Sequence, residues 1–358
     1  MEGREYQFHL IVLTYMIQSG VVIFALPRIL GEVFGTNGWI AILPLSAIVI
    51  LNIWLFSYVY KRIGERSMFE VISIALPKWI YYLLFFIIIV LWCAIAALVL
   101  KQFAIIIQII FFPTTHVFWF ITTMFIIVFV FLNLGIMNMV KVTTIFFYFS
   151  IWTLLLGLIF LEEFDFVRLT SFLFKDGDLS LFQIGSVYTS FLGFEIMFLL
   201  TPYVKKSAKL VRSMIFGNLL TTFVYGYTSL ICFGFYSLQQ LVKIQFPTLE
   251  LFAYVEAPFL ERVDNLIVPV FIIKIIVTGV FFVWGEKEAL HYMVTNVKEK
   301  KSIIIVVVFA YIITYFFTTY TELETWLTHI AVIEIGMAFG LPLLVLLLLP
   351  IARRKVQL

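Results

Sequence analysis

The chain has 358 residues, 63% of them hydrophobic and only 13% charged, with a formal net charge of +3 and a mean hydropathy of +1.10. A water-soluble globule cannot hide that much apolar surface, so the composition excludes a soluble fold and points to a polytopic membrane protein. The two cysteines, Cys93 and Cys232, lie inside apolar runs and the four histidines are scattered, which implies neither a disulfide framework nor a metal site.

About 20 apolar residues cross a bilayer as a helix. By that rule the sequence predicts ten spans, at 7–30, 38–60, 79–112, 117–135, 140–161, 183–203, 213–237, 265–285, 302–320 and 326–350. The opening MEGREYQFHL runs into the first span with no small-residue cleavage site, so no cleavable leader is expected. The third span is too long to stand upright and must tilt or protrude. The predicted fold is all-α, one transmembrane domain over residues 1–358.

The first span contains MIQSGVVIFALPRIL. Counted from residue 7, Gly20 falls about 20 Å along the helix, near the midplane, and Pro27 removes a backbone donor above it. The sixth span, FQIGSVYTSFLGFEIMFLLTPYV, repeats the pattern with Gly193, Glu195 and Pro202. Spans one and six head two sets of five, and because five is odd the two sets enter from opposite faces. That is the layout of an inverted repeat, about 7–161 and about 183–350. Gly/Pro interruptions at corresponding places point to a transporter-type binding site, because unwound backbone at that depth must line a cavity or touch a ligand. The candidate ligand-binding residues are Gln18, Ser19, Gly20, Val21 and Val22 from the first break, with Thr189, Phe191, Gly193, Phe194 and Glu195 from the second. The bland alternative is that Gly and Pro serve as ordinary packing and kink residues of membrane helices.

Lys and Arg favour the cytoplasmic side. With the N-terminus inside, the inner segments hold most of them: Arg4, Lys61, Arg62, Arg66, Lys78, Lys141, Lys205, Lys206, Lys209, Arg212, Lys287, Lys298, Lys300, Lys301, Arg353, Arg354 and Lys355. The outer segments hold Arg168, Lys175, Lys243 and Arg262, so both termini are expected inside. Of the longer outer segments, 162–182 is acidic, and 238–264 is amphipathic and expected to form one or two short helices over the outer mouth.

Four ionisable residues sit well inside spans: Lys101, Glu195, Lys274 and Glu334. Each needs a partner or water. Glu195 reads equally as a ligand or proton group and as a cap on a half-helix. Lys274 reads as a neutralising partner for Glu195 or Glu334, or as a fixed cation at the midplane. Lys101 is expected to snorkel to the outer interface, and Glu334 is a pathway acid or a partner for Lys274. Arg28 is expected to reach the interface. His116 and His329, and the belt of Trp39, Trp79, Trp119 and Trp326, read as interfacial. No nucleotide loop, metal cluster or nucleophile–base pair appears, so no enzyme, cofactor or nucleic-acid partner is implied.

At this point the motifs resemble a family. GVVIFALPR (20–28) and GFEIMFLLTPYV (193–204) are similar to helices one and six of the spore germination receptor B subunits, within the amino acid–polyamine–organocation transporter superfamily. FPTLELFAYVEAPFLERVDNLIV (246–268) is similar to that family's signature. One departure is Val22, where the family pattern has a second small residue and the backbone can be approached closely. The resemblance implies a subunit in the inner membrane of a bacterial spore, acting with a membrane A subunit and a lipoprotein C subunit. It would sense a small nutrient: an amino acid, sugar or nucleoside. An active permease, proton-coupled through Glu195 or Glu334, and a passive water or ion conduit are the alternatives.

Overall fold

The computed structural model describes residues 4–64, 66–204, 207–254, 264–294 and 297–356, and these are almost entirely helical, with no strand among them. The first apolar segment forms α1 (Arg4–Gln18) and α2 (Val22–Phe34), bent by 60° across Ser19–Val21. A 3₁₀ turn at Gly38–Ala41 leads into α3 (Ile42–Ile63). The short α4 (Met68–Ala75), which the hydropathy pattern does not reveal, starts at Ser67, whose hydroxyl accepts the Phe69 N–H at 3.1 Å. Next come α5 (Lys78–Phe111), α6 (Val117–Leu132) and α7 (Ile136–Ile151), the last continuing through α8 (Thr153–Leu156) to Leu161.

The sixth segment is α9 (Leu181–Tyr188), tightening to 3₁₀ as far as Phe191, then α10 (Phe194–Met197), which runs on as 3₁₀ to Tyr203; the two halves meet at 44°. It is followed by α11 (Ser207–Phe235), α12 (Leu238–Leu241), α13 (Pro247–Ala253), α14 (Asp264–Met293), α15 (Glu299–Ile313) and α16 (Tyr320–Val356).

Among the described residues six helices are long and apolar enough to cross a membrane, or eight if each bent pair is one span. The spans expected at 117–135 and 302–320 are α6 and α15, of 16 and 15 residues, each shorter than a full crossing. The helix expected to be overlong, α5, has 34 residues, about 50 Å at 1.5 Å per residue. Many of the large apolar side chains on the outer surface, such as Trp54, Trp79 and Leu347, are exposed, as suits a lipid-facing surface.

In the interior α5 lies along α14, and α1 is held between α11 and α7. Gly217 lets α11 approach α1 closely: a Cβ there would stand 2.5 Å from Thr14 Cβ and 2.7 Å from the Ile11 carbonyl oxygen. The expected helices over the mouth are α12 and α13, both packed on α2. Residues 255–263 of the signature, including Glu261 and Arg262, lie outside the described residues, as do Lys205 and Lys206. The acidic segment is tied to the end of α2. Thr36 N–H donates to the Lys175 carbonyl and Phe174 N–H to the Thr36 carbonyl, both at 2.9 Å. The chains cross at glycines: Gly35 has φ +67°, and a Cβ on it would fall 1.8 Å from the Lys175 oxygen.

Candidate functional site

The α1 hydrogen-bond ladder ends at the first break. Ser19 N–H still reaches the Tyr15 carbonyl at 2.8 Å, Gly20 N–H turns back to the Gln18 carbonyl at 2.9 Å, and Phe24 N–H restarts the helix on Val21 at 3.1 Å. The carbonyls left at the end of α1 are satisfied by other helices. The Thr278 hydroxyl of α14 donates to the Ile17 oxygen at 3.1 Å, and the Tyr225 hydroxyl of α11 to the Gln18 oxygen at 2.8 Å. The Gln18 amide donates to the Phe191 carbonyl at 2.7 Å and to Asn218 Oδ1 at 3.2 Å, and its Oε1 accepts from Thr221 at 2.8 Å. Tyr225 also lies 3.0 Å from the Ser190 carbonyl. One polar network therefore joins the two breaks, as irregular backbone far from water requires.

At the second break Leu192 is extended and Gly193 takes φ +105°, a left-handed conformation that other residues adopt at a cost. The Glu195 carboxylate folds back onto the Gly193 N–H, at 2.8 and 2.9 Å. It caps the half-helix, which is one of the two roles its position suggested. Its neighbour Glu334 accepts from Trp92 Nε1 at 2.8 Å, and Glu334 Oε2 has no partner among the described residues.

Pro27 leaves a carbonyl unserved, and a hydroxyl compensates it. Pro27 has no N–H for the Ile23 carbonyl, which takes the Thr248 hydroxyl at 2.9 Å instead. In the 3₁₀ stretch that holds Pro202, the Phe198 carbonyl takes the hydroxyls of Tyr60 and Thr201, each at 2.5 Å. Thr248 is the threonine of the F-P-T-L-E run, so the most specific sequence signature braces the helix carrying the L-P-R motif.

The other intramembrane charges sit apart from the breaks or behind them. Lys274 donates to the Tyr15 hydroxyl at 2.7 Å and lies over the rings of Tyr15 and Phe271 at 4.8 and 5.0 Å. Neither Glu195 nor Glu334 forms an ion pair with it among the described residues. Lys101 is buried and does not snorkel: its ammonium donates to the carbonyls of Thr314 and Phe317. A cation there complements the negative end of α15.

A chamber of about 90 Å³ lies between the breaks. Gln18, Gly20, Val21, Val22 and Thr189 line it, together with Ser190, Gln102, Thr278, Ile95, Val99 and Phe282. It shares Val21, Val22, Gln102, Thr189, Leu327 and Ala331 with a vestibule of about 400 Å³ on the side where α2 ends. The vestibule wall holds Arg28, which binds Glu32 at 3.0 Å and Glu324 of α16 at 2.6 Å. A third cavity, of about 410 Å³, is lined by residues of the opposite ends of the helices, including Tyr203, His291 and Tyr292, and shares no lining residue with the chamber. Ser19, Phe191, Gly193, Phe194 and Glu195 do not line the chamber; they shape or support the breaks around it.

Sequence reasoning missed the polar wall on α11. Asn218, Thr221, Thr222 and Tyr225 follow i, i+3, i+4, i+7 and form a buried stripe, a pattern visible in NLLTTFVY. It also missed Glu286. That residue lies beyond the predicted end of span eight, yet α14 runs on to Met293 and buries it beside Cys93.

Comparison with known proteins agrees with this geometry. The model of the spore permease family, described as spore germination protein, matches residues 6–323. Spore germination protein GerQB of Bacillus cereus is 27% identical over 348 residues, covering 92% of this chain and 93% of its own length. Spore germination protein B2 of Bacillus subtilis (strain 168) is 26% identical over 280 residues, covering 74% and 73%. Among solved structures, MHP1, a nucleobase-cation-symport-1 family transporter in a closed conformation with bromovinylhydantoin bound, aligns over 90% of this chain and 74% of its own. The TM-score is 0.59 at 13% identity, a likeness of fold.

Proposed function

Because the chain belongs to the spore permease family of spore germination proteins, and is an integral membrane protein with a transporter fold, we propose that it is a nutrient receptor subunit. It binds a small solute in the chamber between its two broken helices and passes the resulting change of conformation to partner subunits. The observation that carries this reading is the chamber itself. It lies between the two breaks, and it shares lining residues with the vestibule at the end of α2 and none with the cavity at the opposite helix ends.

Its size narrows the guest. About 90 Å³ is the liquid volume of about three waters, which suits the head of a small amino acid; a sugar or nucleoside would have to sit in the vestibule. The start of α2 at Val21 and Val22 offers the positive end of a 13-residue helix to a carboxylate. The neutral oxygens of Thr189, Ser190 and Thr278 suit an ammonium. A guest touching both half-helices binds one arrangement better and shifts the population toward it. The fuller reading places the subunit in the spore inner membrane with both termini inside, as ten spans in two inverted repeats, beside a membrane A subunit and a lipoprotein C subunit.

Thr189→Leu places a larger side chain at the chamber's junction with the vestibule. Spores carrying it should need at least about tenfold more nutrient to germinate, the equivalent of about 1.4 kcal/mol of lost binding, with the protein still present in the membrane. An unchanged dose–response would refute the proposal.

One observation favours a second reading, a proton-coupled permease. Glu334, beside Glu195, and Glu286, beside Cys93, are carboxyls deep inside the protein with no cation paired to them among the described residues, where a bare charge is costly. On that reading, proteoliposomes of the purified chain take up labelled amino acid under an imposed proton gradient, and Glu334→Gln abolishes the dependence on that gradient. Absence of uptake by the unmodified chain removes the second reading and leaves the first intact.

A further inference from the structure

A groove of about 550 Å³ runs between α3 and α11, far from the breaks in function but close to their supports. Its walls are Trp54, Ser57, Tyr58 and Lys61 from α3 and Val211, Arg212 and Ile215 from α11. The α3 residues follow i, i+3, i+4, i+7 and so form one stripe on the helix surface. Trp54 and Tyr58 are large and exposed, at 57% and 47%. The stripe changes character along its length. It is apolar at Trp54 and Ile215, amphipathic at Ser57 and Tyr58, and cationic at Lys61 and Arg212, within about 10 Å of helix rise. The Arg62 guanidinium stacks over the Tyr58 ring at 3.7 Å and adds a third cation at the same end. Among the described residues no acidic side chain lines the groove, and neither Lys61 nor Arg212 has a hydrogen-bond or ion-pair partner.

We infer that this groove is a binding site for an anionic phospholipid. The phosphate lies on Lys61 and Arg212, the glycerol region at Ser57 and Tyr58, and an acyl chain over Trp54 and Ile215. A slot that turns from aliphatic to cationic in the depth of one leaflet matches a single lipid, and an excess of cations selects a net negative headgroup over a zwitterionic one. A membrane-embedded protein partner would have to bring both an apolar ridge and an acid at one end of it; the lipid already carries both. The site also touches the supports of the second break, since Tyr60, whose hydroxyl donates to the Phe198 carbonyl, immediately precedes Lys61. A headgroup bound there steadies the same turn of α3.

The test uses the full chain, purified in uncharged detergent and stripped of lipid, then given phosphatidylglycerol or phosphatidylcholine. Native mass spectrometry reads retained lipid, and the melting temperature reads stabilisation. Phosphatidylglycerol should be retained and should stabilise; phosphatidylcholine should do neither. At about fivefold per cation, the Lys61→Gln/Arg212→Gln double variant should bind phosphatidylglycerol about 25-fold more weakly. A Lys300→Gln/Lys301→Gln control, with the same loss of charge elsewhere, should bind as the parent does. Both groove residues are exposed, and the single Lys61→Gln variant, expected to lose about fivefold, gives the same test if the double variant does not purify. Equal retention of the two lipids, or equal losses in the groove and control variants, overturns the proposal. So does a photo-crosslinker at Trp54 that labels a protein in native membranes and no lipid.

Discussion

Thr248→Val removes the hydrogen bond to Ile23 at nearly constant shape, together with a weak contact to the Cys232 thiol at 3.8 Å. The hydroxyl of Thr248 is the donor for the Ile23 carbonyl, which Pro27 leaves without its helical partner. Valine fills the same space, so little cavity cost enters, and the carbonyl is left buried and unsatisfied. That costs about 1–3 kcal/mol. The reasoning makes a sharper statement in combination with Pro27→Ala. That substitution restores an N–H at position 27, four residues after Ile23, so the carbonyl recovers a donor and the penalty for Thr248→Val should fall to a few tenths of a kcal/mol. The assay is a double-mutant cycle on the purified chain, with unfolding followed by steric trapping or by loss of monodisperse protein on heating. A Thr248→Val variant as stable as the parent would refute the argument, and so would an equal penalty with and without the Pro27→Ala substitution.

Two further outcomes follow from the breaks and the vestibule. Gly193→Ala forces a side chain into φ +105° with its Cβ 2.5 Å from Ile17 Cγ2, and should destabilise by about 1–3 kcal/mol; Gly20→Ala, whose nearest neighbour is Thr278 Oγ1 at 3.5 Å, should cost under about 0.5 kcal/mol in the same thermal assay. Glu324→Gln removes the charge that joins α16 to Arg28 of α2 across the vestibule, and because both side chains are partly solvated it should change stability by less than about 1 kcal/mol. It should nonetheless raise the dissociation rate of bound solute, read by stopped-flow fluorescence.

Hydropathy locates the long apolar helices, with ends off by as much as eight residues, because lipid imposes a composition over about 20 consecutive positions. The two interruptions are legible for the same reason: Gly and Pro are conspicuous in such a run. The limits are equally physical. A Glu-Lys-Glu sequence reads as the end of span eight at residue 285, but α14 continues to Met293 because protein rather than lipid covers it. The pattern puts Lys101 at the interface, and which helix end offers it carbonyls depends on tertiary contacts that no local pattern encodes. Val21, Val22 and Thr189 do line the chamber, but Glu195 faces back onto its own helix start, since a carboxylate two residues after a left-handed glycine reaches that amide more easily than it reaches the chamber. The polar stripe of α11 is present in the sequence at helical spacing and supplies the cross-links that an unwound backbone needs.

The crossing of Gly35 with Lys175 and Gly177 gives α2 a handle outside the membrane. A pivot at Ser19–Val21 and a rigid arm of 13 residues, about 20 Å long, make this half-helix a lever. A turn of about 10° at the pivot moves its far tip by about 3.5 Å, and because the 174–178 segment is clasped there by backbone contacts, that segment travels with it. A small change of angle at the break is thereby carried about 20 Å along α2 to the 174–178 segment.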